Sequence, residues 1–304
     1  LGHDSLLKST LNPQLRSEFM KTSVPGLLLE AGPNGLSRLR VQTGVASGEL
    51  FLHGAHLTGW QPAGHRPVLW LSGSSWFEAG KPIRGGVPIC FPWFGPHPQD
   101  SSLPAHGTAR LQEWQLQTAS AGVDGAISLL LQAAIGSFSV QYELVIGRDL
   151  HLRLTCELPA VAAESERFEA ALHTYLAVSD IRAVEITGLE NAGYLNKVPQ
   201  LQWCEPTGEP IRFSAETDRV YQNTTETVVL HDPGMQRKIS VSKQGSMSTV
   251  IWNPWIDKSR RMPDFGDDEW TGMVCIETAC VGDQAIVLRP GQSHQISATI
   301  SVAE

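Results

Sequence analysis

The sequence has no CxxC pair, and its five cysteines, Cys90, Cys156, Cys204, Cys275 and Cys280, are odd in number. That pattern argues against a disulfide framework and against a zinc ribbon. No apolar run reaches the roughly 18 residues that a helix needs to cross a bilayer, so no membrane span is expected. Basic charge is in deficit: 23 Lys and Arg stand against 31 Asp and Glu, a net charge of −8. Nucleic acid needs a basic surface and is set aside as a partner, whereas a small phosphorylated ligand needs only one or two local arginines. GxxxxGK[ST], GxGxxG between a strand and a helix, HExxH and GxSxG are all missing, so no nucleotide, metal or other cofactor is called for by motif. The opening LGHDSLLKSTLNPQL carries no apolar block of the signal-peptide kind, which makes the cytoplasm the expected compartment. Without a secretion signal, the sequon Asn223-Thr224-Thr225 carries little weight.

Long helical periodicity is also scarce. The best helical segment covers about residues 12–22, with Asn12 as cap and Pro13 in the first turn. Period-two alternation is what recurs. In LHLRLTCEL, Leu150, Leu152, Leu154, Cys156 and Leu158 point one way, and QISATISV repeats the pattern with Ile296, Ala298, Ile300 and Val302. FSVQYELVI (138–146), ISLLLQ (127–132) and ELFLHGAHLTGW (49–60) read as further strands. Asp124-Gly125, Asp232-Pro233-Gly234 and Arg289-Pro290-Gly291 read as turns between strands. The fold expected is all-β, a large two-sheet antiparallel sandwich with few short helices. One domain is expected over residues 24–304, preceded by an extension over residues 1–23.

One segment fits neither helix nor central strand. IRGGVPICFPWFGPHP (83–98) holds four prolines, three glycines, three large aromatics and Arg84. Stiff, irregular loops on a rigid scaffold often carry sites. Other polar groups sit in apolar or turn-like surroundings: His106 and Arg110 in LPAHGTARLQEW, His173 in ALHTYLAV, Asp218 in AETDRVYQN and Glu277 in GMVCIETACV. Each has a plain reading. A lone strand histidine is commonly a satisfied core group. Asp218 reads as a turn residue bonding its own backbone, and Glu277 as the point where a buried strand emerges into water. As a set, two histidines, two carboxylates and two arginines without metal-site spacing suit proton transfer around an anionic ligand.

These residues resemble a known family. Arg84-Gly85-Gly86-Val87-Pro88 with Phe91-Pro92 and Phe94-Gly95, then His106-Gly107 and Ala109-Arg110, are similar to the hexose-6-phosphate mutarotases, or glucose-6-phosphate 1-epimerases. The likeness continues through Gly54-Ala55 with Trp60, His173-Thr174-Tyr175, Glu216-Thr217-Asp218 with Tyr221, Trp252-Asn253-Pro254-Trp255 and Cys275-Ile276-Glu277. The resemblance implies a galactose-mutarotase-like sandwich that interconverts the anomers of a hexose 6-phosphate; a monomer is expected. It implies His173 as general acid toward the ring oxygen and Glu277 as base toward the anomeric hydroxyl. Arg84, Arg110, Asp218 and His106 are implied as substrate contacts, with no cofactor. Ala105 stands where some relatives carry glutamine before the His-Gly pair, and Thr278-Ala279 stand where some carry Pro-Gly.

Mutarotation opens and recloses a hemiacetal. One oxygen on the anomeric carbon loses a proton while the other gains one, so an acid and a base must reach two sides of that carbon. A histidine titrating near neutral pH suits the acid and a carboxylate the base. Partial burial of Glu277 at the end of an apolar run is expected to raise its pKa. Arg84 and Arg110 are expected to hold the phosphate. Four other readings compete. An aldose 1-epimerase of free sugars would need no phosphate clamp. A carbohydrate-binding sandwich would stack Trp60, Trp93 and Trp255 on sugar rings. A glycoside hydrolase would use Glu277 with Asp218. A cysteine enzyme would use Cys275 with His173.

Overall fold

The computed structural model describes residues 24–303, so the helix expected over residues 12–22 lies outside the described residues. Strands dominate, and every pairing between named strands is antiparallel. The 150–158 and 296–302 alternations fall in neighbouring strands, Leu150–Glu157 and Ser293–Ala303, with Ile296 opposite Leu154. Their even-numbered side chains are buried up to Leu158 on one strand and over Ile296 to Ile300 on the other. All three expected turns join strands, and Gly125 and Gly291 adopt positive φ there. The 49–60 segment is two strands, Ala46–Phe51 and His56–Pro62, because Gly54 and Ala55 turn the chain with positive φ.

Two eight-stranded sheets form the body. The back sheet runs Glu185–Thr187, Val228–Asp232, Arg237–Gln244, Ser293–Ala303, Leu150–Glu157, Phe138–Ile146, Ile127–Ile135 and Gln115–Ala121. The site sheet runs Gln202–Cys204, Tyr194–Asn196, Thr217–Gln222, Ser248–Asn253, Met273–Cys280, Ala170–Leu172 and Ile89–Cys90, and Tyr175–Ala177 also pairs with Met273–Cys280. A four-stranded sheet from Leu27 to Pro62 and a two-stranded ribbon, Glu166–Phe168 with Ile286–Leu288, complete the architecture.

One continuous apolar core joins residues of both large sheets, among them Leu154, Val241 and Ile300 with Ile251, Val274 and Ile276. A smaller cluster of Cys90, Ala171, Val220, Val250, Ala279 and Val281 packs separately. Its strand members share register rows, and hence one face, with the site residues described below. The proline-rich segment contributes only the two-residue strand Ile89–Cys90, at the edge of the site sheet where missing donors are tolerated. Gly86 is required there. It has φ +60° and a Cβ would lie 2.1 Å from the Leu57 carbonyl oxygen.

Candidate active site

Glu277 lies inside the strand Met273–Cys280, not at its end. All eight residues of that strand are buried because both of its faces are covered. The emergence into water that its sequence position suggests is therefore not what the structure has. His173 lies where the neighbouring chain bends between Ala170–Leu172 and Tyr175–Ala177. The Thr174 amide turns back to the Leu172 carbonyl at 2.9 Å, and the His173 amide donates to the Pro88 carbonyl at 3.1 Å. Register is kept across the bend, since Leu172 faces Thr278 and Tyr175 faces Cys275. His173 therefore stands opposite Glu277, and its Nε2 is 3.4 Å from Oε1. Glu277 Oε2 and His173 Nδ1 are buried without hydrogen-bond partners.

The pocket above this pair is about 250 Å³. All six sequence-predicted residues line it: Arg84, His106, Arg110, His173, Asp218 and Glu277. Asp218 reaches the site as the second residue of the strand Thr217–Gln222, which pairs with Ser248–Asn253 and sets it opposite Trp252, and its Oδ2 lies 3.5 Å from Lys197 Nζ. His106 sits at φ +65°, a conformation that costs free energy outside glycine. Gly95 holds it twice: its carbonyl accepts the His106 amide at 2.7 Å, and its amide donates to His106 Nδ1 at 3.3 Å. Accepting at Nδ1 puts the ring proton on Nε2, which makes that nitrogen a donor. Arg110 is buried in a short turn, with Nη2 donating to the Ala105 carbonyl at 2.7 Å and Nε unpartnered.

Burial acts against charge on both members of the pair. It pushes Glu277 well above the ordinary carboxylate range, helped by Asp218 and opposed by Lys197. It pushes His173 well below the ordinary imidazole value, and His106, Arg110 and Arg84 add to the depression. The near-neutral titration expected for His173 is thus displaced downward. The same burial drives the Cys275 thiol well up, which leaves little thiolate for nucleophilic chemistry.

A family model described as aldose 1-epimerase matches residues 38–301. The chain belongs to the aldose 1-epimerase family. Within it, a relative from Escherichia coli named "Putative glucose-6-phosphate 1-epimerase" is 35% identical over 256 residues, covering 83% of this chain and 86% of the relative. One of the same name from Cenchrus ciliaris is 32% identical over 277 residues, covering 86% and 83%. A Salmonella typhimurium crystal structure described as a "putative mutarotase" superposes with a TM-score of 0.85 at 30% identity, covering 93% of this chain and 95% of that one. The resemblance read from the motifs is borne out, the sandwich is the fold of this family, and the chain is an isomerase of the epimerase type.

Hydrogen bonds and packing give the remaining motifs physical tasks. Asn253 of Trp252-Asn253-Pro254-Trp255 is fully buried and structural. Its Nδ2 donates to the Trp270 and Met273 carbonyls, and its Oδ1 accepts the Trp255 amide at 2.9 Å. Of the tryptophans, Trp252 lines the pocket. Trp60 is buried with its indole N–H on the Gly147 carbonyl, and Trp255 packs on Trp270. Five pocket-related groups escaped the sequence reading, Val250 of the site sheet among them. Lys197 lines the pocket 5.3 Å from the Phe94 ring, and Lys258 lines it while paired to Glu216 at 3.1 Å. Met262 is a third lining residue, and Asp264 binds Arg84. Charged residues on polar loops or on a helix as short as Trp255–Ser259 carry no periodic or motif signal, so only the fold singles them out.

Proposed function

We propose that this chain interconverts the α and β anomers of a hexose 6-phosphate, glucose 6-phosphate first among them. The observation that carries this reading is the buried, register-matched His173–Glu277 pair beneath a pocket lined by Arg110, Lys197 and Lys258. The curated relatives bear names that point to the same substrate.

In this mechanism Glu277 takes the anomeric hydroxyl proton and His173 protonates the ring oxygen. The ring C–O bond opens, the aldehyde carbon turns, and the reverse transfers close the other anomer. Burial favours a neutral imidazole beside a protonated carboxyl, which together carry one transferable proton. Moving that proton from Glu277 to His173 across the 3.4 Å contact produces the acid and base forms that the step requires. Glu277 Oε2 is buried without a partner, so it has no competing hydrogen bond to give up when it meets the anomeric hydroxyl. His106 and Asp218 bind sugar hydroxyls as donor and acceptor.

For the phosphate, Arg110 has more to offer than Arg84. Arg84 already spends its fork on Asp264, whereas Arg110 keeps an unpartnered Nε. Lys197 and Lys258 add charge at the rim, each with about a third of its side chain exposed.

The test follows anomeric proton exchange of glucose 6-phosphate and of glucose by NMR, for wild type and Glu277→Gln. Wild type is expected to accelerate the phosphorylated sugar preferentially, and the variant to lose roughly 10² to 10⁴ in rate. Equal acceleration of both sugars would transfer the reading to free aldoses, and no acceleration of either would remove it.

A further inference from the structure

We infer that His173, Cys275 and Glu277 together form a three-ligand site for a thiophilic divalent cation such as Zn²⁺ or Cd²⁺, whose occupation immobilises the histidine–carboxylate pair. An imidazole nitrogen, the thiol sulfur and a carboxylate oxygen from these residues all lie within 4.8 Å of one another, and all three residues are buried. The sheet explains the convergence. Cys275 and Glu277 are two apart on one strand and so share a face, while His173 stands opposite Glu277 on the next strand. No sequence spacing announces such a triad, because one ligand lies about a hundred residues from the other two in a chain whose strands pair at long range.

Geometry and charge both fit. Two ligands held roughly 2.0–2.1 Å from zinc at the tetrahedral angle stand about 3.3 Å apart. The His173 Nε2 to Glu277 Oε1 distance is 3.4 Å, so that edge of a tetrahedron already exists. The sulfur lies within 4.8 Å of both partner atoms and completes the face by closing to the roughly 3.5 Å that a zinc–sulfur bond of about 2.3 Å requires. A thiolate and a carboxylate neutralise a dication, which suits apolar surroundings that disfavour net charge. Glu277 Oε2 and His173 Nδ1 are buried and unpartnered, so neither side chain is committed to another group there. Three protein ligands leave a fourth position for water or a sugar oxygen. Binding releases the Cys275 thiol proton and the Glu277 carboxyl proton to solvent and transfers no electrons. Cys275 itself takes no part in the proton transfers proposed above.

The test uses Cd²⁺ alone, because its bond to thiolate gives an ultraviolet charge-transfer band that is read without turnover. One equivalent of Cd²⁺ is expected to raise the band in wild type, and glucose 6-phosphate to compete with it. Cys275→Ala and Cys275→Ser are both made, in case one folds poorly. Each is expected to abolish the band, keep metal-free mutarotation and lower sensitivity to Zn²⁺ on the order of tenfold or more. Glu277→Gln is expected to weaken the band. No band, a band that survives both Cys275 variants, or one lost on changing the half-buried Cys204 overturns the site. The band reports binding by itself, so its failure is distinct from a failure of the proposed sugar reaction.

Discussion

Asp264 holds Arg84 by one edge of the guanidinium: Nε lies 3.2 Å and Nη2 3.1 Å from Oδ2. Arg84 Nη1 donates to the Tyr175 hydroxyl at 3.1 Å, and the Tyr175 ring stacks on the His173 imidazole at 4.7 Å between centroids and 8° between planes. A buried carboxylate thus steadies, through an arginine and a tyrosine, the ring that the mechanism uses as acid. Asp264→Asn removes the charge that balances Arg84. Because the Asp264 side chain is only 5% exposed, the loss is expected to be about 3 kcal/mol in urea unfolding. Arg84→Ala combined with Asp264→Asn should lose less than the two single changes added together, since each single change strands the other partner. Strict additivity in that cycle would show that the pair does not couple.

Glu277 predicts a pH signature in stability. Its folded pKa lies well above the unfolded value of 4.5. As pH rises past 4.5 the unfolded chain releases this proton while the folded chain keeps it, so wild type loses stability until the folded pKa is passed. Glu277→Gln lacks the titration. The stability difference between the variant and wild type is expected to shift steadily in favour of the variant from pH 4.5 upward. A difference that stays flat over that range, by thermal or denaturant unfolding, would show an ordinary carboxylate.

His173 carries the opposite slope. Its pKa is depressed, so protons bind the unfolded chain first as pH falls below 6.5 and wild type loses stability on the acid side. His173→Gln is expected to remove that acid-side loss while lowering mutarotation by roughly 10² to 10⁴. The double variant with Glu277→Gln should be little slower than either single one, because the two groups act as a unit. A double variant slowed by the product of the two effects would make the groups independent.

The strand-borne part of the site occupies two neighbouring cross-strand rows. One row reads His173, Glu277, Val250 and Val220, and the next reads Tyr175, Cys275, Trp252 and Asp218. The back sheet was legible in the sequence because its strands are buried on one face, which leaves the alternation of Leu150 to Leu158 in plain view. Met273–Cys280 is buried on both faces and shows no alternation, so the direction of Glu277 could not be read from its neighbours. Motif likeness identified the six pocket residues, which the fold brings together. Lys197, Lys258 and Asp264 stayed hidden for another reason. Each is a charge on a loop, a turn or the short helix Trp255–Ser259, and its importance depends on chain segments far away in sequence.

Lys197 and Lys258 give the specificity prediction. Both stand at the pocket rim within ion-pair reach of a carboxylate, Asp218 at 3.5 Å and Glu216 at 3.1 Å. A phosphate arriving there meets two cations beside Arg110, whose Nε has no partner. Lys258→Met and Lys197→Met are each expected to raise KM for glucose 6-phosphate by about tenfold, the value of one charge-assisted hydrogen bond, and to leave glucose nearly unaffected. Arg110→Ala should do the same more strongly. Matching losses on the two sugars would place the phosphate elsewhere.

Gly86 tests whether the proline-rich segment is built as rigidly as its composition suggests. Its amide donates to the Trp70 carbonyl at 2.7 Å, and the flanking Gly85 carbonyl accepts from the buried His56 Nε2 at 2.7 Å. Gly85 and Gly86 both have positive φ, so the chain passes Leu57 and Leu71 at a distance that no side chain allows. A Cβ on residue 86 would sit 2.1 Å from one backbone oxygen and 2.8 Å from the Thr58 Cα, and neither atom is the end of a flexible side chain. Backbone must therefore move, and it carries Arg84 two residues away. Gly86→Ala is expected to lose more than about 3 kcal/mol of stability, from left-handed strain and steric overlap together. Gly35→Ala is the control: it also has positive φ, but nothing lies within 4 Å of its Cβ, so it should lose only about 1 kcal/mol. Equal losses at the two positions, measured by urea unfolding, would mean that φ alone and not the close approach to Leu57 makes Gly86 necessary.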